Sequence, residues 1–234
     1  MALPATARRA FPLAVRAVMI DLDGTLLDTV GDLAVAADAM RAELGMPALP
    51  PGAVRDYVGK GIPVLVKRAL TGRMDGEPEA ALFERGLAIF NRCYAAVNGR
   101  STTIYPGVRE GLDAFRAMGL ALACVTNKSG EFTTPLLAAT GLADYFRVVV
   151  AGDSLARRKP DPLPLTHTCG VLGIGPAEML MIGDSANDAV AARAAGCPVF
   201  CVPYGYNEGV DVRTLDVDAI VATLFEASKL VARS

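Results

Sequence analysis

Asp21-Leu22-Asp23-Gly24-Thr25-Leu26 follows directly on the apolar run Ala17-Val18-Met19-Ile20, and the reading of that junction decides the fold. A buried strand that empties into two carboxylates one residue apart is costly. Groups at i and i+2 of an extended segment point the same way, and two carboxylates so placed repel each other. No structural role requires that repulsion. A metal cation, or a reaction that needs one acid and one nucleophile, accounts for it. Gly24 leaves room for a sharp turn, and Thr25 adds a hydroxyl at the same spot.

Working outward, short apolar runs at residues 14–20, 120–125, 146–150, 179–182 and 198–202 have strand character. They are continuous rather than alternating, as parallel strands covered on both faces are. Helical patterns at 108–118, 129–140, 162–172 and 187–195 lie between and beside them, several closing on Gly119, Gly141 and Gly196, where a helix C-cap favours glycine. The alternation predicts an α/β fold, a doubly wound parallel sheet with right-handed crossovers.

One interval breaks this rhythm. Residues 29 to 101 hold helical stretches at 31–44, 62–70 and 79–97 and no strand pattern. An insertion of about 70 residues is too long for a loop. The expected organisation is therefore a frayed extension at 1–14, an α/β core at 15–29 and 102–234, and a small helical cap domain at 30–101. The cap leaves the core at the carboxyl end of the first strand, where ligands bind in open α/β sheets.

The later strands also end in polar groups. The second run ends Val125-Thr126-Asn127-Lys128, the third is followed by Arg158-Lys159-Pro160-Asp161-Pro162, and the fourth ends Gly183-Asp184-Ser185-Ala186-Asn187-Asp188. Four such endings, in order and at carboxyl edges, are far more specific than any one of them. The set Asp21-x-Asp23-Gly24-Thr25, Thr126-Asn127, Lys159-Pro160 and Gly183-Asp184-Ser185-x-x-Asp188 resembles the haloacid dehalogenase superfamily. Within it the chain is most similar to the phosphoglycolate phosphatases, through residues 21–33, Val58-Gly59-Lys60-Gly61, Phe132-Thr133-Thr134-Pro135-Leu136-Leu137 and Lys159-Pro160-Asp161-Pro162-Leu163-Pro164-Leu165.

The resemblance implies hydrolysis of 2-phosphoglycolate to glycolate and phosphate through an aspartyl-phosphate. Its implied purpose is salvage of 2-phosphoglycolate from ribulose bisphosphate oxygenation or from repair of damaged DNA ends. Asp21 is the implied nucleophile and Asp23 the acid, then the base. Mg²⁺ suits one or two carboxylates plus phosphate oxygen and water. Asp21 and Asp184 would supply carboxylates to it and Asp23 its backbone carbonyl, while Asp188 would sit in the outer shell, orienting waters or Lys159. Thr126 would donate its hydroxyl to a phosphoryl oxygen with Asn127 beside it, and Lys159 would place a point charge against the phosphoryl group. Thr25 adds a substrate-side hydroxyl. In the insertion, Gly59-Lys60-Gly61 reads either as a substrate-reading loop, its glycines admitting backbone to the ligand and Lys60 meeting a carboxylate, or as a helix-cap turn with a solvated lysine. Another small phosphate ester, or a β-phosphoglucomutase-like phosphomutase using the same residues, remains open beside this reading. A non-catalytic binding protein would show decay of the nucleophile, acid or lysine, and all are present.

Composition sets the outer limits. A net charge of −2, spread along the chain, and the absence of tryptophan argue against nucleic acid as a partner. No uncharged apolar run approaches the ~18–20 residues of a membrane span, so no membrane partner is expected; the partner that the resemblance implies is a small-molecule phosphate ester. Oligomeric state carries no signal in the sequence. Five cysteines, odd in number and without a CxxC pair, point to a reducing cytoplasm. Arg8-Arg9 resembles part of a twin-arginine export signal, but Arg16 interrupts the apolar run behind it, and cleavage there would remove the strand leading to Asp21. His167 has no partner histidine and is expected to pack.

Overall fold

The computed structural model describes residues 10–234. Arg16 divides the first apolar run into β1 (Leu13–Val15) and β2 (Ala17–Ile20), and β2 is buried at every position. The chain then turns through Asp21–Leu26 into β3 (Leu27–Asp28) and leaves for a set of helices: α1 (Val30–Glu43), α2 (Ala53–Tyr57), α3 (Ile62–Thr71) and α4 (Ala80–Val97). It returns as β4 (Thr103–Ile104), antiparallel to β3, so the outgoing and incoming segments form a short ribbon.

Beyond it come α5 (Val108–Ala117), β5 (Ala121–Val125), α6 (Gly130–Ala139), β6 (Val148–Val150) and α7 (Leu163–Leu172). β7 (Met179–Gly183), α8 (Ala186–Ala195), β8 (Val199–Cys201), β9 (Ala219–Ile220), α9 (Leu224–Ser228) and β10 (Val231–Arg233) complete the chain. The sheet runs β6-β5-β2-β7-β8-β9, with every pairing parallel. β2 lies at the point where the strand order reverses, with β5 on one side and β7 on the other. Carboxyl ends on both sides of such a switch point open on one crevice.

Continuous apolar sequence produces the expected burial, since β5 and β7, like β2, have no exposed position. One apolar layer, including Leu112, Phe115 and Leu224, packs on one face, and another, including Leu165, Cys169 and Ala192, on the other. Helices α1–α4 enclose a further apolar cluster around Met40, Val66, Phe90 and Tyr94, which Phe132 and Tyr206 join from the sheet side. Truncating a buried Phe such as Phe90 to Ala would cost about 3–5 kcal/mol.

Two expectations change. The frayed extension at 1–14 lies, for residues 1–9, outside the described residues, and with it the Arg8-Arg9 pair. Leu13 and Ala14 are not frayed: β1 pairs in parallel with β10, and Leu13 N donates to Leu230 O. The apolar Leu13 and Val15 are buried there, which the sequence pattern masked because Arg16 separates them from β2. Helix α2 also carried no pattern, being one short turn between the proline-rich residues 47–51 and Gly59-Lys60-Gly61.

Candidate active site

β2 ends one residue before Asp21, whose own N–H still bonds Ile182 O of β7 at 3.0 Å. The expected repulsion between Asp21 and Asp23 is relieved by giving each carboxylate its own ammonium. Lys159 Nζ lies 3.0 Å from Asp21 Oδ1, while Lys128 Nζ lies 3.2 Å from Asp23 Oδ1. Asp23 Oδ1 also accepts from Thr29 Oγ1 at 2.7 Å. Gly24 makes the turn at φ +84°, and any side chain there would strike the Asp184 carboxylate.

Asp184 follows β7 and accepts from Thr25 Oγ1 at 3.2 Å and from the backbone N–H of Tyr206. Asp188 does two things at once. Its Oδ2 accepts from the Asp184 N–H, the Ser185 N–H and the Ser185 hydroxyl, closing a capping box at the start of α8. Its Oδ1 takes Lys159 Nζ at 2.7 Å, and the same ammonium donates to Val125 O at the end of β5. Lys159 is thereby buried among two carboxylates and a carbonyl. Burial alone would lower its pKa, but Asp188 and then Asp21 raise it, so the charge is held.

Thr126 N donates to Val150 O, and its Oγ1 accepts from the Lys128 N–H, leaving the hydroxyl proton to donate. Asn127 Nδ2 bonds Gly59 O and Lys159 O, each at 2.9 Å, and its buried Oδ1 has no partner. Asp21, Asp23, Thr126, Asn127, Asp184, Gly59 and Gly61 all line one cavity, closed on the helical side by Leu33, Val58, Ile62 and Leu65. Lys60 does not line it: its ammonium pairs with Glu208 at 3.0 Å. His167 lies on the exposed side of α7. Lys128 and Tyr206 also line the cavity, and neither had an assigned role in the sequence reading. Lys128 follows Thr126-Asn127 directly, and that adjacency at a strand end was the available signal. Tyr206, in the loop after β8, had none.

The charges in this site do not balance. Asp21, Asp184 and Asp188 can bring one oxygen each to within 4.8 Å of one another, with Lys159 as their shared ammonium. Burial, opposed by Lys159 and reinforced by Asp188, pushes Asp21 up to about 7. Burial, followed by Asp188 and Asp21, pushes Asp184 well above the carboxylate range. A pocket of oxygen donors short of positive charge suits a hard divalent cation, and the residues present fit Mg²⁺.

The chain matches the haloacid dehalogenase-like hydrolase family over residues 15–196. It is 59% identical to a phosphoglycolate phosphatase of Nitrosospira multiformis, covering 96% of this chain and 99% of that one. It is 55% identical to one of Thiobacillus denitrificans, covering 97% and 100%. A crystal structure of a predicted phosphoglycolate phosphatase from Haemophilus somnus 129pt superposes with a TM-score of 0.85 at 32% identity, over 90% of this chain and 95% of that one. With the strand-end carboxylates, the buried lysine and these relatives in agreement, the chain belongs to the haloacid dehalogenase-like hydrolases and, within them, to the phosphoglycolate phosphatase family.

Proposed function

We propose that this protein hydrolyses 2-phosphoglycolate to glycolate and phosphate, with Asp21 as nucleophile, Asp23 as acid and then base, and Mg²⁺ as cofactor. The observation that carries the reading is the division of labour between the two aspartates: Asp21 faces Lys159 and the other carboxylates, and Asp23 faces Lys128 and Thr29. Relatives at 59% and 55% identity that bear this activity in their names support the choice of ester.

In the first step an Asp21 oxygen bonds phosphorus as the phosphorus–ester oxygen bond breaks, and Asp23 protonates the departing glycolate oxygen. In the second, Asp23 takes a proton from water, which attacks phosphorus, and the Asp21–phosphorus bond breaks to release phosphate. Thr126 donates to a phosphoryl oxygen, and Lys159 holds Asp21 in place. Mg²⁺, bound by Asp21 and Asp184 with the Asp23 carbonyl, would neutralise charge shared by nucleophile and phosphate. Helices α1–α4 act as the cap domain, excluding bulk water over the crevice, with residues 28–31 and 100–106 as its hinges.

The reading places the enzyme in a reducing cytoplasm, supported by five cysteines that form no disulfide among the described residues. No helix of the described residues is long and apolar enough to cross a membrane. The test is phosphate release from a panel including 2-phosphoglycolate and β-glucose 1-phosphate, with Mg²⁺ and with EDTA. The expected result is a lead for 2-phosphoglycolate of orders of magnitude in kcat/KM, abolished by EDTA. A flat profile, or metal-independent release, would remove the assignment.

A further inference from the structure

Lys128 lines the cavity, and the steps proposed above give it no role. Its side chain is 3% exposed. Nζ lies 3.2 and 3.4 Å from the two Asp23 oxygens, donates to the Tyr94 hydroxyl of α4, and sits 4.7 Å from the centre of the Tyr94 ring. An ammonium has three donors, engaged here by the two Asp23 oxygens and the Tyr94 hydroxyl, and the longest of these contacts, 3.4 Å to Asp23 Oδ2, is the one a ligand carboxylate would replace. The backbone beneath it is pinned, since Lys128 O accepts from Gly152 N at 2.7 Å and from Thr133 Oγ1. Among the described lining residues, the helical wall contributes apolar side chains and no cation. Lys60, the sequence's other candidate to read a carboxylate, is engaged by Glu208 instead.

We propose that Lys128 selects the substrate by binding a carboxylate that one methylene separates from the ester oxygen. The proposal rests on the phosphoglycolate reading above and deepens it. Its geometry follows from Asp23. That residue serves the ester oxygen, and Lys128 is in direct contact with it. A carboxylate tethered to the same oxygen by a single methylene therefore arrives against the ammonium. An ester with an uncharged tail offers nothing to replace that long contact, and so gains no charge-assisted hydrogen bond in a desolvated place where such bonds are strongest. Tyr94 contributes from the helical side by cradling the cation, so the groups that read the carboxylate come from both the sheet and the insertion.

The test compares kcat/KM for 2-phosphoglycolate with that for ethyl phosphate, which keeps the chain length and lacks the acid group. Lys128→Met should lower that ratio by roughly ten- to a hundredfold, the range expected for losing a hydrogen bond to a charged group. The ratio is the readout because loss of an Asp23 contact lowers turnover of both esters together. Lys60→Met should leave the ratio within about threefold of the parent. Circular dichroism checks the fold; if Lys128→Met does not fold, Lys128→Gln, which still donates to Asp23 and Tyr94, is measured in its place with the same expectation. A ratio unchanged in the Lys128 variant, or lost in Lys60→Met, overturns the inference while the phosphoglycolate reading stands. A parent protein with no preference for 2-phosphoglycolate over ethyl phosphate overturns that reading itself.

Discussion

Each aspartate of the pair after β2 is defined by the lysine it faces, and this sets what substitutions do. Asp21→Asn removes the proposed nucleophile and proposed metal ligand together, so turnover should fall to background; measurable first-order phosphate release from clean protein would contradict the assignment. Asp23→Asn keeps the backbone carbonyl and should keep the fold, but kcat should drop by about 10²–10⁴, the usual worth of general acid–base help. A melting temperature near the parent's together with that loss separates chemistry from folding. Lys159→Met is different in kind. It strands Asp21 and Asp188 without their shared ammonium, and breaking a buried ion pair costs about 3–5 kcal/mol. Chemical denaturation should register that loss alongside the loss of activity, and equal stability would show the cluster is not held by the lysine.

Between the elements, the outgoing and returning segments meet around one side chain. Asp32, in the first turn of α1, accepts from Gly99 N at 2.9 Å, Ser101 N at 2.8 Å, the Ser101 hydroxyl and Thr102 Oγ1 at 2.7 Å. Burial raises its pKa, but these four donors, led by the Ser101 and Thr102 hydroxyls, together lower it below the ordinary value. A depressed carboxylate contributes stability above its unfolded-state pKa and loses it as pH falls through the folded one. Asp32→Ala should therefore destabilise by about 1–3 kcal/mol at neutral pH, and the gap from the parent should close as the solution is acidified below about pH 4. A gap independent of pH would show that the charge is not what the donors hold.

The same scale shows what was legible. Strands β5 and β7 and helices α1, α3, α4 and α8 could be read to within about a residue or two, because continuous apolar runs and glycine stops mark them, whereas the single run expected at 14–20 is two strands divided at Arg16. The strand-end residues Asp21, Thr126, Lys159 and Asp184 could be read because chemistry leaves polar groups in places where packing would not. Lys60 and Lys128 could not be told apart. Both are lone lysines beside small or polar residues, and the difference lies in Glu208, which is far away in sequence and captures one of them. The ribbon of β3 and β4 and the pairing of β1 with β10 are contacts between distant short segments, and periodicity has no hold on two or three residues.

Across the whole molecule, the imbalance of charge at the sheet's carboxyl edge should show as a dependence of stability on metal. Mg²⁺ at a hundred times its dissociation constant should add about 2.7 kcal/mol, and a chain of this size gains about 2–4 °C in Tm per kcal/mol. Scanning calorimetry with Mg²⁺ and with EDTA should differ by roughly 5–10 °C on these figures. Coincident transitions would mean the three carboxylates do not form a cation site.

The loop after β8 touches both halves of this arrangement. Tyr206 N bonds Asp184, and the Tyr206 hydroxyl bonds Asp28 and accepts from the N–H groups of Thr29 and Val30, at 2.7 and 3.0 Å. Arg55 of α2 lies over the Tyr206 ring and donates to Tyr204 O and Gly205 O, while Glu208 pairs with Lys60 and with Arg68 of α3. A single span of chain thus contacts Asp184, the proposed cation ligand, and the helices α2 and α3. Thermodynamic reciprocity then applies: if settling the helices on a substrate tightens the cation by some factor, the cation must tighten the substrate by that same factor. Cofactor and ester would in that case be bound as one cooperative unit, with residues 204–208 as the mechanical link between them.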